Sequence, residues 1–251
     1  MIPPPPAPVV RYGSHPDQVA NLHLPAADGG PWPCVVLIHG GFWRERWDRT
    51  LMTPLAIDLA KRGYATWNIE YRRVGQNGGG WPGTFDDVAA AADALADVTD
   101  VDQARLVAVG HSAGGHLALW LGARNGGRVR LRGAVSQAGV ADLAQAHADD
   151  LGSGAVADLI GGSPAELPDR YADASPAARV PLGIAQLLVH GADDDIVPPA
   201  QSRDYAHRAR EAGDDVELVE IAGADHFDVV DPAHESWRAV VERLPQLLGT
   251  A

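Results

Sequence analysis

The chain alternates short apolar segments with longer amphipathic ones along most of its length. Runs such as CVVLI, LVAV and LLV are apolar throughout, which is typical of strands buried on both faces of a parallel sheet. The predicted strands are Val19–Leu24, Cys34–Ile38, Ala65–Ile69, Arg105–Val109, Leu131–Ser136, Gln186–Val189 and Val216–Ile221. The predicted helices are Leu51–Arg62, Phe85–Val98, Ala113–Arg124, Ala200–Ala212 and His234–Leu248. Because strands alternate with helices, we predict an α/β fold, with a mostly parallel twisted sheet and helices on both faces.

The N-terminal part of the chain departs from this pattern. The first predicted strand lies in VANLHLP, where apolar and polar residues alternate as in an antiparallel strand at the edge of a sheet. We therefore expect an antiparallel hairpin at the N-terminal edge of the sheet. The prolines Pro3–Pro6 favour an extended arm before that hairpin.

A second departure is the segment from Gln137 to Pro181, where short helical pieces and small residues occur without a strand pattern. Such a segment is too long for a plain connection between two parallel strands. We predict that residues 137–181 form a small helical cap over the open end of the sheet. Residues 1–136 and 182–251 would then form the core of the domain.

Composition narrows the functional classes. The chain has 251 residues, enough for one large domain or two small ones, and 46% of them are hydrophobic. Its 20 basic and 33 acidic residues give a net charge of −13, which argues against nucleic acid or an anionic membrane surface as a partner. Cys34 is the one cysteine, so neither an intrachain disulfide nor a cysteine metal cluster is expected.

Two further patterns bear on location. No apolar run approaches the roughly 18 residues that a membrane span requires. The N-terminal residues MIPPPPAPVVRYG contain neither the charged leader nor the apolar segment of a secretory signal. We therefore expect a cytoplasmic protein.

Polar motifs follow four of the predicted strands. HGGFW comes after Ile38, GHSAGG after Val109, HGADDDIVP after Val189 and GADHFD after Ile221. Ligands of open parallel sheets bind beyond the carboxyl ends of the strands, and parallel strands bring those ends to one edge. We expect the four motifs to meet at a single site.

The segment from Gly110 to Gly114 matches the pattern G-x-S-x-G between a strand and a helix. In a nucleophile elbow the two glycines relieve crowding in a sharp turn, and the turn exposes the serine oxygen. This context predicts that Ser112 is a nucleophile. The alternative is that Ser112 only caps the helix that begins at Ala113.

A serine hydroxyl needs a base to take its proton and an acid to orient that base. His226 lies in a loop after the last strand, which makes it the predicted base. For the acid, HGADDDIVP offers three adjacent carboxylates. The motif places Asp194 at the acid position, with Asp193 shaping the turn and Asp195 facing solvent. A calcium-binding loop is the alternative for this acidic run.

The glycines of HGGFW allow the backbone to pass close to a substrate. We predict that the amides of Gly41, Phe42 and Ala113 form an oxyanion hole, which stabilises negative charge on a carbonyl oxygen in the transition state. The alternative is a glycine pair in an ordinary tight turn.

Aromatic residues occur near the same motifs. We predict that Trp43, Trp47 and Trp81 line an aromatic pocket and that Trp43 and Trp81 bind substrate, although tryptophans that merely pack the loops are an equal alternative. The bulk of Phe42 beside the predicted oxyanion hole favours short acyl groups on aromatic leaving groups.

Together these motifs resemble the α/β-hydrolase superfamily over nearly the whole chain. HGGFW is similar to the version found in kynurenine formamidases, whereas relatives of hormone-sensitive lipase usually have a third glycine where Phe42 stands. GHSAGGHLALW suits both groups, and YRR at Tyr71–Arg73 resembles a pair in the lipase-like group. The resemblance implies a serine esterase of the α/β-hydrolase fold that works by two-step acyl transfer and needs no metal or organic cofactor.

Three functions follow as candidates. The first is hydrolysis of a small carboxylic ester. The second is amide hydrolysis, of an aryl formamide or a short peptide. The third is a non-catalytic binding protein on the same fold, which ordinarily would have lost the serine, the acid or the base. The expected partner is a small-molecule ester or amide, and the sequence leaves the oligomeric state open.

Overall fold

A computed structural model describes residues 7–249 of the chain, so the predicted arm at Pro3–Pro6 lies outside the described residues. The described chain forms an eight-stranded sheet. The strands are β1 (Val9–Arg11), β2 (Val19–His23), β3 (Trp32–Ile38), β4 (Ala65–Ile69), β5 (Val101–His111), β6 (Gly133–Gln137), β7 (Ala185–Gly191) and β8 (Val216–Ile221). The helices are α1 (Thr53–Lys61), α2 (Gly83–Asp93), α3 (Ala113–Gly122), α4 (Leu143–Ala148), α5 (Ala155–Ile160), α6 (Pro168–Ala174), α7 (Ala200–Glu211) and α8 (Glu235–Leu248).

The strand order is β1-β2-β4-β3-β5-β6-β7-β8. Strands β3 to β8 run parallel to one another. β1 pairs antiparallel with β2, and β2 pairs antiparallel with β4. The predicted α/β class and the antiparallel N-terminal hairpin are therefore confirmed, with β1 as the edge strand.

Helices bury both faces of this sheet. In β3, Cys34, Val36 and Ile38 belong to the hydrophobic cluster on one face. Val35 and Leu37 alternate with them and belong to the cluster on the other face. A strand with period-two side chains and two covered faces must be apolar at every position, which explains the run CVVLI.

Strand β5 begins earlier than its pattern predicts, at Val101 rather than Arg105. The polar stretch after Val101 hides this extension from a search for apolar runs. Val101 pairs with Trp32 across the sheet, and the register of the two strands shifts after that pair. The pairing with a neighbouring strand, rather than local hydrophobicity, therefore decides where β5 begins.

Residues 137–181 contain α4, α5 and α6 and, after the end of β6, no strand. Apolar side chains of these helices, among them Leu143 and Leu159, join the same hydrophobic cluster as the helices beneath them. Arg44 ties the segment to the loop after β3, since its guanidinium donates to the carbonyl of Gly152 and pairs with Asp158 at 2.7 Å. Within residues 7–249, no helix has the length and apolar character needed to cross a bilayer.

Candidate active site

Ser112 lies in the turn between β5 and α3. Its backbone angles, φ 54° and ψ −120°, are rare for a residue with a side chain and are typical of a strained functional turn. A Cβ on Gly110 would lie 1.9 Å from the carbonyl oxygen of Gly114, and a Cβ on Gly114 would lie 2.0 Å from that of Ile38. The elbow therefore requires both glycines. The side chain of Ser112 makes no helix-capping hydrogen bond, which argues against the capping alternative.

His226 and Asp194 meet although 32 residues separate them. Nδ1 of His226 lies 2.7 Å from Oδ2 of Asp194, and both residues are buried. The other carboxylate oxygen of Asp194 accepts hydrogen bonds from the amides of Ile196 and Val197, each at 2.9 Å. The carboxylate is thus held in one orientation toward the imidazole.

Burial alone would raise the pKa of Asp194, but hydrogen bonds from His190 and His226 outweigh it and hold this pKa below its ordinary value. His190 was not predicted as a site residue. It is fully buried, with Nε2 3.2 Å from Oδ2 of Asp194 and Nδ1 2.7 Å from Oγ of Ser202. The neighbouring carboxylates of Asp193 and Asp195 are exposed.

A cavity of about 300 Å³ opens where these elements meet. Ser112 and His226 line it together with Gly41 and Phe42 of the loop after β3. Most of the remaining wall is apolar. The four motifs predicted to meet at one edge of the sheet thus surround one cavity, with Asp194 directly behind His226.

The loop after β3 has an unusual backbone. Gly41, Phe42 and Trp43 all have positive φ, at 114°, 51° and 57°. A Cβ on Gly40 would lie 2.9 Å from Cβ of Ser112, so only glycine allows this close approach. Within residues 7–249 the amides of Gly41, Phe42 and Ala113 have no hydrogen-bond acceptor. They are free to donate to a bound oxygen, and Ala113 adds the positive end of α3.

A buried charge network supports this loop from below. Oε1 of Glu70 lies 2.8 Å from Nε2 of His39, and Oε2 accepts from the amide of Arg49 at 3.0 Å. Arg73 lies 3.3 Å from the same carboxylate, and the hydroxyl of Tyr71 donates to the carbonyl of His39 at 2.8 Å. Sequence reasoning used YRR only as a resemblance and missed Glu70, which precedes it directly.

Substitution of Glu70 by glutamine is expected to destabilise the fold. Burial would raise the pKa of Glu70, but the hydrogen bond and charge of His39 and the charge of Arg73 hold it below the ordinary value of 4.5. Breaking a buried ion pair costs about 3–5 kcal/mol. Because the folded-state pKa is depressed, this contribution is fully present above about pH 4.5 and is lost as pH falls through the folded-state pKa.

The difference in unfolding free energy between wild type and Glu70→Gln should therefore be large at pH 7 and narrow below pH 4.5, as measured by chemical denaturation. Glu217→Gln is the matched control, because its pair with Arg243 is half-exposed and should contribute at most about 1 kcal/mol. A Glu70→Gln variant as stable as the control at pH 7 would contradict a structural role for the network.

The two tryptophans predicted to bind substrate do not line the cavity. Trp43 is fully buried, and its Nε1 donates to Nδ1 of His116 at 3.1 Å. Trp81 packs edge-on against Phe85, with ring centroids 4.9 Å apart. The prediction that these two tryptophans bind substrate is therefore corrected. The backbone of Trp43, with its positive φ, turns the side chain into the core, where burial of a large aromatic ring is favourable.

Trp47, the third tryptophan expected near the site, and Phe227 take their place. Trp47 and Phe227 line the cavity, with ring centroids 5.9 Å apart. Leu51 and Ile196 complete its apolar wall. Phe227 directly follows His226 in the motif GADHFD, and this adjacency is the feature of the sequence that indicates a place for Phe227 at the site.

His111, the residue before the serine, connects two motifs. Its Nε2 lies 2.9 Å from the carbonyl oxygen of His226, and since a carbonyl only accepts, Nε2 carries the proton. Burial, followed by the charge of His226, lowers the pKa of His111 to about 3. His111 therefore stays neutral and fastens the backbone of His226 to the elbow.

An elbow serine and an acid-paired histidine at the carboxyl edge of a mostly parallel sheet are characteristic of the α/β-hydrolase superfamily, as the motifs predicted. Residues 20–208 match the profile of the BD-FAE family. The chain belongs to the BD-FAE family.

The chain is also similar to known proteins. The protein YfhR of Salmonella typhimurium is 30% identical over 219 residues, which cover 83% of this chain and 71% of that protein. Esterase LipC of Mycobacterium tuberculosis is 26% identical over 259 residues, which cover 89% of this chain and 60% of LipC. The predicted class, a carboxylic ester hydrolase, is supported by the similarity to LipC.

Solved structures show the same fold. A truncated carbohydrate esterase from gut microbiota superposes with a TM-score of 0.83 at 21% identity, covering 96% of this chain and 95% of that one. Esterase B from Lactobacillus rhamnosis, in a complex with a tributyrin phosphonate inhibitor, superposes with a TM-score of 0.82 at 22% identity, covering 96% and 84%. The predicted α/β-hydrolase fold is confirmed.

Proposed function

We propose that this protein hydrolyses small carboxylic esters, with Ser112 as nucleophile, His226 as base and Asp194 as the acid that orients the base. The contact between His226 and Asp194 carries this proposal. Because Nδ1 faces the carboxylate at 2.7 Å, Nε2 is free to accept the proton of a serine hydroxyl in the same cavity. Ser112 attacks the ester carbonyl, the alcohol leaves, and water then cleaves the acyl-enzyme.

The unpartnered amides of Gly41, Phe42 and Ala113 would stabilise the oxyanion of each tetrahedral intermediate. A donor of this kind contributes about 3–4 kcal/mol to transition-state stabilisation. Gly40 brings the loop close enough to the serine for the amides to act on the same carbonyl. No step of this mechanism requires a cofactor.

A small acyl group fits the space beside the serine. The cavity of about 300 Å³ is at the lower end of the range for small-molecule sites, and the ring of Phe42 forms part of its wall. We infer that residues 137–181 act as the cap by holding this ring, since a Cβ on Gly152 would lie 2.6 Å from it. Residues 1–136 and 182–251 would then carry the catalytic groups.

The first test is a panel of p-nitrophenyl esters of increasing acyl length. We expect kcat/KM to be highest for acetate and butyrate and to fall for longer chains, because Phe42 limits the space. Phe42→Ala should raise the ratio of long-chain to short-chain kcat/KM several-fold. The panel includes N-formylkynurenine, and faster turnover of that amide than of every ester would favour a formamidase instead. An unchanged ratio in Phe42→Ala would show that this side chain does not limit acyl length.

A further inference from the structure

The cavity has one permanently charged side chain in its wall, that of Arg46. The other described residues of the wall include no carboxylate, no lysine and no second arginine. The guanidinium carbon of Arg46 lies 5.9 Å from the centroid of the Trp47 ring, a stacking arrangement that keeps a cation over an aromatic face. The contact with Trp47 therefore holds the guanidinium of Arg46 at the cavity.

Arg46 also differs from the arginines on either side of it in sequence. Arg44 pairs with Asp158, and Arg49 lies 3.6 Å from Glu70. For Arg46, the described chain offers neither an ion pair nor a hydrogen bond to its guanidinium. The chain has 33 acidic and 20 basic residues, so most arginines could find a carboxylate within the protein. The guanidinium of Arg46 has no such partner in the described chain and can therefore bind an anionic group of a ligand.

We propose that Arg46 binds a carboxylate on the substrate, so that the substrate class is an ester that also carries a carboxylate beside an apolar or aromatic part. This inference rests on the proposed function. The planar guanidinium presents two parallel donors that match a carboxylate, and such charge-assisted bonds are stronger than neutral ones. Phe42, Trp47 and Phe227 accommodate the apolar part.

Size and charge both favour this arrangement. Arg46 and Ser112 line one cavity of about 300 Å³, so one small molecule can reach both. A net charge of −13 repels anions, and a local cation at the cavity is the means by which such a protein can attract an anionic substrate. The N-terminus of α3, which points to the same cavity, adds to the positive potential.

The test compares charged and neutral esters of similar shape. On the leaving-group side, 4-carboxyphenyl acetate is compared with 4-carbamoylphenyl acetate. On the acyl side, mono-p-nitrophenyl succinate is compared with p-nitrophenyl butyrate. In one of the two pairs, the ratio of charged to neutral kcat/KM should fall about tenfold to a hundredfold in Arg46→Gln. Arg46→Lys should give an intermediate ratio, and added salt should lower the ratio in the wild type.

Arg130→Gln is the matched control, because it removes the same charge from an exposed arginine outside the cavity and should leave both ratios unchanged. Ratios in Arg46→Gln equal to those of the wild type in both pairs, with neutral esters still hydrolysed, would overturn this inference alone. If the wild type hydrolysed none of the four esters, the proposed function would fail and this inference with it.

Discussion

Replacement of Ser112 by alanine is expected to abolish ester hydrolysis while leaving the fold intact. Loss of a serine nucleophile costs on the order of 10⁶-fold in kcat. The side chain of Ser112 makes no capping hydrogen bond to α3, and alanine has a Cβ like that of serine, so the strained turn stays as it is. The melting temperature should therefore change little.

A fluorophosphonate probe gives the direct measurement. It should label the wild type once and leave Ser112→Ala unlabelled. Ser163→Ala is a suitable control, since Ser163 is half-buried, donates a hydrogen bond from its hydroxyl to Glu166 and does not line the cavity. Labelling of the Ser112→Ala variant, or full activity in it, would mean that the nucleophile lies elsewhere.

Replacement of Asp194 by asparagine is expected to have the next largest effect. In asparagine the oxygen would stay on the amides of Ile196 and Val197, and the NH₂ group would face Nδ1 of His226 as a donor. His226 is then held in the wrong tautomer and also loses the negative charge that stabilises its protonated form. In the serine protease used as the standard example, the same substitution lowers kcat about 10⁴-fold. We expect a loss approaching that size.

Asp193→Asn and Asp195→Asn are the matched controls. Both carboxylates are exposed and adjoin Asp194 in sequence, so each variant removes one charge without touching His226. They should retain most of the activity. All variants are compared by kcat and by melting temperature, which separates lost chemistry from lost folding. An inactive Asp193→Asn or Asp195→Asn beside an active Asp194→Asn would refute the assignment of the acid.

Several features of the fold and site could be predicted from the sequence because their causes are local. A strand covered on both faces must be apolar throughout, as in CVVLI, so most strands were visible as runs. The elbow requires glycines on both sides of Ser112. His226 and Asp194 each lie in a motif that follows a strand, which predicted them as the base and the acid. Parallel strands share one carboxyl edge, which predicted that these motifs would meet.

Other features depend on contacts between distant parts of the chain, and only the tertiary structure decided them. The sequence near HGGFW contains several tryptophans, and composition does not distinguish Trp43, whose positive backbone φ accompanies burial, from Trp47, which faces the cavity. Likewise, the pairing of Glu70 with His39 crosses from one strand to the next. Arg46 differs from Arg44 in that it lines the cavity and has no ion pair within the described chain. The amino-acid sequence determined which motifs meet at the site, because the apolar pattern of each strand is local and parallel strands share one carboxyl edge. The packing of loops against one another determined which side chains line the cavity and which are left to bind a substrate.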